Sequence, residues 1–154
     1  MTPAIQVVER ANIPHQIHTY VHETNTHSYG EEAAEKLGIA MDRVFKTLII
    51  TLAPKRFAVV LIPVSNSLVL KRAAKALGAK KIDMAAPQDA ERVTGYLLGG
   101  VSPLGQKRQL PTLIDQSAQG FKTIYISAGR RGLEIELAPD DLADLTKATY
   151  AELC

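Results

Sequence analysis

The sequence predicts a single domain of the mixed α+β class, with about seven β-strands and a few intervening helices. Three observations support this prediction. The chain has 154 residues, which suffice for one domain with a substantial core but not for two comfortable ones. Apolar segments of strand length recur along the whole chain, with short helical patterns between them. No repeat, low-complexity tract or linker divides the sequence, so we expect one domain over residues 1–154.

Helices are predicted from capping signals and apolar spacing. Thr2 followed by Pro3 forms an N-cap with proline at the first helical position, and this helix should end near Asn12. Ser28 and Glu31 have capping-box spacing, which predicts the start of a second helix that stops at a glycine. The helical patterns after the first one cover residues 32–37, 68–77, 87–93 and 139–145, and the last of them should close the domain.

Strands are predicted where β-branched and aromatic residues form apolar or alternating segments. The segments 44–52 and 57–64 are separated by four residues, which predicts a hairpin whose second strand is central. The last two strands are joined by residues 128–132, which are rich in types that tolerate a left-handed backbone. The complete set of predicted strands is 15–21, 44–52, 57–64, 81–85, 110–115, 123–127 and 133–137.

Basic residues are concentrated in the middle of the chain. The formal net charge is only +2, yet residues 43–82 contain nine Lys or Arg and no Asp or Glu. Such a segment in a nearly neutral protein is typical of a surface for a polyanion, although an ordinary solvated surface is an equal alternative. The lysines that we expect to form this surface are Lys71, Lys75, Lys80 and Lys81.

Missing motifs disfavour several classes of protein. The sequence has no Gly-x-Ser-x-Gly elbow, P-loop, dinucleotide-binding fingerprint or metal motif, so no cofactor and no metal is expected. Its single cysteine, Cys154, allows neither a disulfide framework nor a thiolate metal site. Neither a secretory signal nor a membrane-length apolar segment is evident, which predicts a cytoplasmic protein with no membrane partner.

The histidines form no obvious site. His15, His18, His22 and His27 all lie in the first thirty residues, and an extended segment would place His18, Tyr20 and His22 on one face. Two histidines there could bind a metal, but no third ligand is evident. We therefore expect half-buried or solvent-facing imidazoles.

Two further features suggest a ligand site. Residues 94–105 contain four glycines and one proline, and Gly99-Gly100 followed by Ser102-Pro103 favours a fixed turn. Its N–H groups could hold an oxyanion or a polarised carbonyl, and a tight structural connection is the alternative. Lys46 stands in an apolar strand, where it either snorkels at a sheet edge or lines a cleft as a fixed cation.

Together these segments resemble one family, the YbaK/EbsC-type Cys-tRNA(Pro) deacylases. These are free-standing relatives of the editing domain inserted in bacterial prolyl-tRNA synthetases. The segments that carry the resemblance are Lys46-Thr47, residues 74–81, the Gly-Gly-x-x-Pro loop within 99–107, and residues 127–137. The resemblance covers almost the whole chain and implies one editing domain with a mixed, barrel-like sheet flanked by helices.

The function implied by the resemblance is removal of cysteine from mischarged Cys-tRNA(Pro), with Cys-tRNA(Cys) as a second candidate substrate. The substrate's own thiol would attack the ester carbonyl and release a cyclic thiolactone. The protein would then supply orientation and oxyanion stabilisation, and would need no nucleophile or general base of its own. The implied partners are tRNA and prolyl-tRNA synthetase, and the protein would be a monomer or a homodimer.

The resemblance also assigns roles to residues. Lys46 and Thr47 would hold the 3′-terminal adenosine and its phosphate, while Gly99, Gly100 and Ser102 would lie around the ester carbonyl. The residues implied to line the substrate pocket are Tyr20, Tyr29, Pro103, Ser127 and Glu134. Tyr29 stands where the family usually has phenylalanine, and Glu134 where aspartate is common, which bears on the size of the pocket.

Two alternative functions remain open from the sequence. Within the family, the protein could edit another mischarged tRNA such as Ala-tRNA(Pro), where no thiol is present and water must attack. Outside it, the protein could be a tRNA- or synthetase-binding module without turnover.

Overall fold

The computed structural model describes residues 1–23, 29–53 and 55–154, with the exception of the Ala53 side chain, and its architecture is mixed α+β as predicted. The described helices are α1 (Pro3–Ala11), α2 (Tyr29–Leu37), α3 (Leu70–Leu77), α4 (Pro87–Thr94) and α5 (Pro139–Thr146). The described strands are β1 (His15–Thr19), β2 (Phe45–Ala53), β3 (Arg56–Pro63), β4 (Asp83–Met84), β5 (Thr112–Asp115), β6 (Ile124–Arg130), β7 (Leu133–Leu137) and β8 (Thr149–Ala151).

These strands form two sheets. The small sheet has the order β1-β7-β6 and is antiparallel throughout, whereas the large sheet has the order β4-β2-β3-β5-β8 with β3, β5 and β8 parallel. A single parallel bridge between Val44 and Tyr125 joins the two sheets just before β2 begins. Because the described strands do not close into one continuous ring, the barrel-like form expected from the resemblance is not confirmed.

The main core lies between the two sheets. It contains Phe45 and Leu61 from the large sheet together with Ile126 and Ile135 from the small one. Helix α3 covers the other face of the large sheet, where Ala73 packs with the strand residues of a second cluster. Helix α2 packs over the outer face of the small sheet, so this face is covered by a helix even though its strands place polar side chains there.

The predicted local signals agree with the described elements. Thr2 caps α1 by accepting a hydrogen bond from the Ile5 N–H at 3.3 Å, and Asn12 ends the helix in the left-handed conformation. The hairpin of β2 and β3 and the helix ends at Gly38 and Gly78 are also as predicted. The Ser28 half of the predicted capping box, His27, and Pro54 at the hairpin turn lie outside the described residues.

One element was predicted wrongly at the C-terminus. Helix α5 does not close the domain, because the three-residue strand β8 follows it and pairs in parallel with β5. The buried Asp115 carboxylate accepts a hydrogen bond from the Leu153 N–H at 2.9 Å and anchors this segment. None of the described helices has the length and apolarity needed to cross a bilayer.

Candidate active site

A cavity of about 370 Å³ lies beside the start of β2, where β2 and β6 separate after their single bridge. The structure brings seven of the predicted site residues together around it. These residues are Tyr20, Tyr29, Lys46, Thr47, Gly99, Ser127 and Glu134. Gly100, Ser102, Pro103 and the four predicted tRNA-binding lysines do not line the cavity.

The edge of β2 supplies one wall of the cavity. Among the described strands, β4 covers this edge only at Ile50 and Thr51, so the preceding residues are open on that side. Because the Ile49 carbonyl accepts a hydrogen bond across this edge from Ala85, strand alternation directs the Thr47 N–H and C=O the same way. The Thr47 hydroxyl is buried and has no hydrogen-bond partner in the described part of the chain. Thr47 therefore offers polar groups that a ligand can satisfy.

Lys46 lies at the rim of this wall. It is half-buried and shares a face of β2 with Leu48 and Ile50, on the side of the large sheet that α3 covers. It forms no ion pair with any described residue. Burial raises the pKa of Cys154 to about 11, and the Lys46 charge is near enough to oppose that shift. Lys46 therefore brings to the cavity lining a cation that no described acidic side chain pairs with.

The exposed Tyr29 and the adjacent Gly99 lie at the mouth of the cavity, and Arg131 contacts Tyr29 without lining the cavity. Gly99 has a φ of +90°, and a Cβ there would come within 2.9 Å of the Tyr29 ring. The Arg131 guanidinium lies 3.8 Å from the centre of the same ring and approaches the Glu32 carboxylate at 3.4 Å. Sequence reasoning missed Arg131, whose only signal was its place in a glycine-rich turn.

Gly100, Ser102 and Pro103 of the predicted oxyanion loop do not line the cavity, although Val101 between them does. The Gly100 N–H donates to the Leu97 carbonyl at 3.0 Å, so this donor is already occupied. Ser102 is fully buried, and its hydroxyl accepts a hydrogen bond from the Leu104 N–H at 3.3 Å. Pro103 lines a separate cleft. The assignment of these residues to the ester carbonyl stays a prediction, and any such effect would act through the shape of the loop.

Gly100→Ala should destabilise the protein by about 1–3 kcal/mol, the usual cost of overpacking. The reason is that a Cβ at Gly100 would lie 2.6 Å from the backbone Cα of Arg130, and backbone cannot rotate away as a side chain can. Urea unfolding of the two proteins measures the difference. Gly120→Ala is the matched control, because a Cβ at Gly120 meets no atom within 4 Å. Equal losses in both variants would contradict the backbone contact.

Glu134 and Ser127 face each other on neighbouring strands at the floor of the cavity. The Ser127 hydroxyl accepts a hydrogen bond from the Gly129 N–H at 3.1 Å. Glu134 is only 6% exposed, and burial raises the pKa of its carboxyl to about 8. Burial also raises the pKa of Tyr20, and the nearby charge of Glu134 adds to that shift. The floor of the cavity therefore contains a carboxyl that titrates near neutral pH.

The raised pKa of Glu134 predicts a pH-dependent stability. A carboxyl whose pKa is 4.5 in the unfolded chain and about 8 in the folded one binds its proton more tightly when folded. Stability should therefore fall as the pH rises between these values. Glu134→Gln should match the wild type near pH 5 and be the more stable protein at pH 9, as measured by urea midpoints. A constant difference between the two proteins across this range would contradict the shifted pKa.

The predicted tRNA-binding lysines lie on and after α3. Lys71, Lys75, Lys80 and Lys81 are all exposed, and none forms an ion pair with a described residue. Arg72 on the same helix is instead paired with Glu152 at 3.1 Å. Because α3 covers the face of the large sheet to which Lys46 belongs, Lys71 and Lys75 lie on the same side of that sheet as Lys46.

The three histidines that the structure describes are held by structural contacts. His18 Nε2 lies 2.9 Å from Glu136 Oε1, His22 Nδ1 lies 2.8 Å from Glu32 Oε1, and His15 Nδ1 lies 2.8 Å from the Ile13 carbonyl. None of these three lines the cavity. Within residues 1–23, 29–53 and 55–154, no group of three or more His, Cys, Asp or Glu side chains is placed to hold a metal ion.

Comparison with known proteins gives a consistent result. A family model described as an aminoacyl-tRNA editing domain matches residues 23–145. The chain is 42% identical over 153 residues to EbsC of Enterococcus faecalis, which is named as a candidate Cys-tRNA(Pro)/Cys-tRNA(Cys) deacylase. That alignment covers 99% of this chain and 92% of EbsC.

Two further similarities concern prolyl-tRNA synthetase. The chain is 34% identical over 123 residues to a proline–tRNA ligase of Acidithiobacillus ferrooxidans, which covers 79% of this chain but only 21% of the ligase. The fold superposes with a TM-score of 0.83 on the crystal structure of a candidate trans-editing enzyme for prolyl-tRNA synthetase. This match covers 99% of this chain and 98% of the other at 24% identity, so it establishes likeness of fold alone.

Proposed function

Because this chain belongs to the aminoacyl-tRNA editing domain family, we propose that it is a deacylase that removes cysteine from mischarged Cys-tRNA(Pro). Cys-tRNA(Cys) is the second candidate substrate, in keeping with the name of the 42%-identical relative. The observation that carries the proposal is the cavity beside β2, which combines an open strand edge, an unpaired cation and a small polar floor. An aminoacyl ester at the end of a polyanion fits this combination.

Neither a cysteine nor a histidine is among the described residues that line the cavity, so the substrate's own thiol supplies the nucleophile in this proposal. Cys154 does not border the cavity, and Ser127, which does, has no histidine beside it in the described lining to take its proton. The thiol sulfur would attack the ester carbonyl carbon, and the bond to the 3′ oxygen of the tRNA would break. Holding the sulfur against the carbonyl makes the reaction effectively unimolecular, which contributes much of the acceleration.

The two sides of the cavity fit the two parts of the substrate. The open edge at Thr47 and the Lys46 ammonium would hold the terminal adenosine and its phosphate. The small polar floor at Ser127 and Glu134 would receive the cysteinyl group. Tyr29 and Gly99 close together at the mouth and would limit the size of the side chain that enters.

The partners that we propose are tRNA and prolyl-tRNA synthetase. The likeness to an internal segment of a proline–tRNA ligase supports the second, because a free-standing copy of that segment would act on the tRNA that the synthetase mischarges. The exposed lysines of α3 would contact the tRNA backbone on the side where the acceptor end enters.

Deacylation assays on tRNAs of defined charge test the proposed function. Cys-tRNA(Pro), Ala-tRNA(Pro) and Ser-tRNA(Pro) are incubated with the protein, and the remaining aminoacyl ester is measured over time. Loss of the cysteinyl ester alone supports thiol-assisted editing, whereas loss of the alanyl ester would indicate attack by water. Binding of all three without turnover would identify a non-catalytic tRNA-binding module.

The four lysines on and after α3 predict a strong salt dependence of tRNA binding. If Lys71, Lys75, Lys80 and Lys81 contact phosphates, changing all four to Gln should lower the slope of log Kd against log salt by about three units. Filter binding between 50 and 300 mM salt, chosen roughly around the physiological range, measures it. A fourfold control, with the exposed residues Lys107, Arg108, Lys122 and Lys147 changed to Gln, removes equal charge elsewhere. Equal slopes for the two variants would contradict a specific surface on α3.

A further inference from the structure

We propose that the Glu134 carboxylate is the proton acceptor for the substrate thiol, a catalytic role that rests on the proposed deacylase function. The sequence led to the expectation that no general base is needed. The structure nevertheless places one carboxyl at the floor of the cavity, where a cysteinyl group would lie.

The contrast between two carboxyls on one strand carries this inference. Glu134 and Glu136 project from the same face of β7, opposite to the buried Leu133 and Ile135. Glu136 receives hydrogen bonds from His18 at 2.9 Å and from the Thr123 hydroxyl at 2.6 Å. Glu134 has neither a hydrogen bond nor an ion pair within the described part of the chain. A buried carboxyl without hydrogen-bond partners lowers the stability of the folded protein. Interaction with a ligand in the cavity would explain why such a group is present.

The surroundings of the two carboxyls shift their pKa values in opposite directions. Burial would raise the pKa of Glu136, but hydrogen bonds from Thr123, His18 and Tyr125 outweigh it and lower that pKa. Burial of Glu134 is not opposed, and its pKa rises to about 8. Two acids pushed apart in this way are typical of sites in which one of them transfers a proton.

The charged and titratable groups around Glu134 leave it available to a ligand. His18 is opposite Glu134 in the register of β1 but is bound to Glu136. Tyr20, Tyr29 and Lys46 border the same cavity. Arg131 stacks on Tyr29 and approaches Glu32, and it does not line the cavity.

The chemistry of the proposed step balances within the substrate and this one carboxyl. The thiol proton passes to a Glu134 oxygen while the sulfur forms its bond to the ester carbonyl carbon. The bond between that carbon and the 3′ oxygen then breaks, and the 3′ oxygen takes the proton back from Glu134. The products are the thiolactone and a tRNA with a free 3′ hydroxyl, and Glu134 is again a carboxylate. A thiol has a pKa of roughly 8.5, so its transfer to this carboxyl is nearly isoenergetic.

A substrate with an already ionised nucleophile tests this role. Glu134→Gln and wild type are compared in single-turnover deacylation of tRNA(Pro) charged with cysteine or with selenocysteine, whose selenol is ionised at neutral pH. The variant should lose about 10²–10⁴-fold on the cysteinyl ester, the range of a general base. Its loss on the selenocysteinyl ester should be at least tenfold smaller, roughly in proportion to the proton transfer that is no longer needed.

Two variants control the comparison. Glu136→Gln removes the neighbouring carboxyl of the same face and should change both rates by less than about threefold, since it does not border the cavity. Glu134→Asp keeps a carboxyl and should recover at least about tenfold of the activity lost in Glu134→Gln. Circular dichroism and urea unfolding confirm that each variant is folded.

The other outcomes are distinct. Equal losses of Glu134→Gln on both esters would overturn the proposal and show that the carboxylate only binds a group common to both substrates, such as the α-ammonium. An unchanged rate on the cysteinyl ester would also overturn it. A wild-type protein that leaves both esters intact would overturn the proposed function itself, and the role of Glu134 with it.

Discussion

Lys46→Ala is expected to lower the rate of Cys-tRNA(Pro) deacylation by about 10²-fold or more, the effect of removing one fixed charge that positions a substrate. The expectation follows from the place of Lys46 at the rim of the cavity, where no described acidic side chain pairs with its ammonium. A phosphate of the 3′-terminal nucleotide would be its first partner. Single-turnover assays with excess protein measure the rate, and titration with uncharged tRNA separates binding from chemistry.

The Lys46 variant should remain folded, because its side chain is half-buried and its removal leaves no buried charge unpaired. Lys46→Arg should rescue poorly, since a planar guanidinium differs in shape and reach from an ammonium. Lys122→Ala is the matched control: it removes an exposed lysine outside both the cavity and the proposed tRNA-binding surface, and should lose less than about threefold. If a stable Lys46→Ala protein deacylates the substrate at the wild-type rate, Lys46 has no role in the reaction and is only a snorkelling lysine at the sheet edge.

Much of the fold could be predicted because its signals are local. The Thr2-Pro3 cap, the hairpin of β2 and β3, and the glycine stops at Gly38 and Gly78 each depend on a few adjacent residues. Strand β8 could not be predicted in this way, because its three residues are too few to show alternation. Its parallel pairing with β5 depends on contacts formed only after the rest of the sheet is in place.

The candidate site was predictable in composition but not in geometry. The resemblance named Lys46, Thr47 and Glu134, and the cavity gathers all three. Nothing in the sequence could reveal that the Gly100 N–H is already bonded, since its acceptor is a carbonyl three residues earlier in a turn of undetermined shape. The sequence also could not show that Glu134 has no hydrogen-bond partner among the described residues while Glu136 has several. The two residues are of the same type and lie on the same face of β7, so their pattern in the sequence does not distinguish them.

Deacylation is expected to fail on tRNA(Pro) charged with S-methylcysteine, with the rate falling by at least about 10²-fold relative to the cysteinyl ester. Methylation leaves the size of the side chain nearly tolerable for the cavity but removes the ionisable thiol, which is the nucleophile of the proposed mechanism. The seryl ester should fail for a related reason, because an alcohol oxygen is a far poorer nucleophile near neutral pH. Loss of each ester is followed with the wild-type protein in excess over the charged tRNA.

Attack by water would require a general base from the protein, whereas attack by the substrate thiol requires no histidine. Substitution of the histidines therefore distinguishes the two mechanisms. If the thiol attacks, His15, His18, His22 and His27 can each be changed to Ala with losses within about tenfold, below most of the range for a true acid–base group. The three histidines that the structure describes contact Glu136, Glu32 and a backbone carbonyl, and none of them lines the cavity. Their positions agree with this expectation. Rapid cleavage of the S-methyl ester would instead require an activated water, and Glu134, Ser127 or a histidine would then have to activate it.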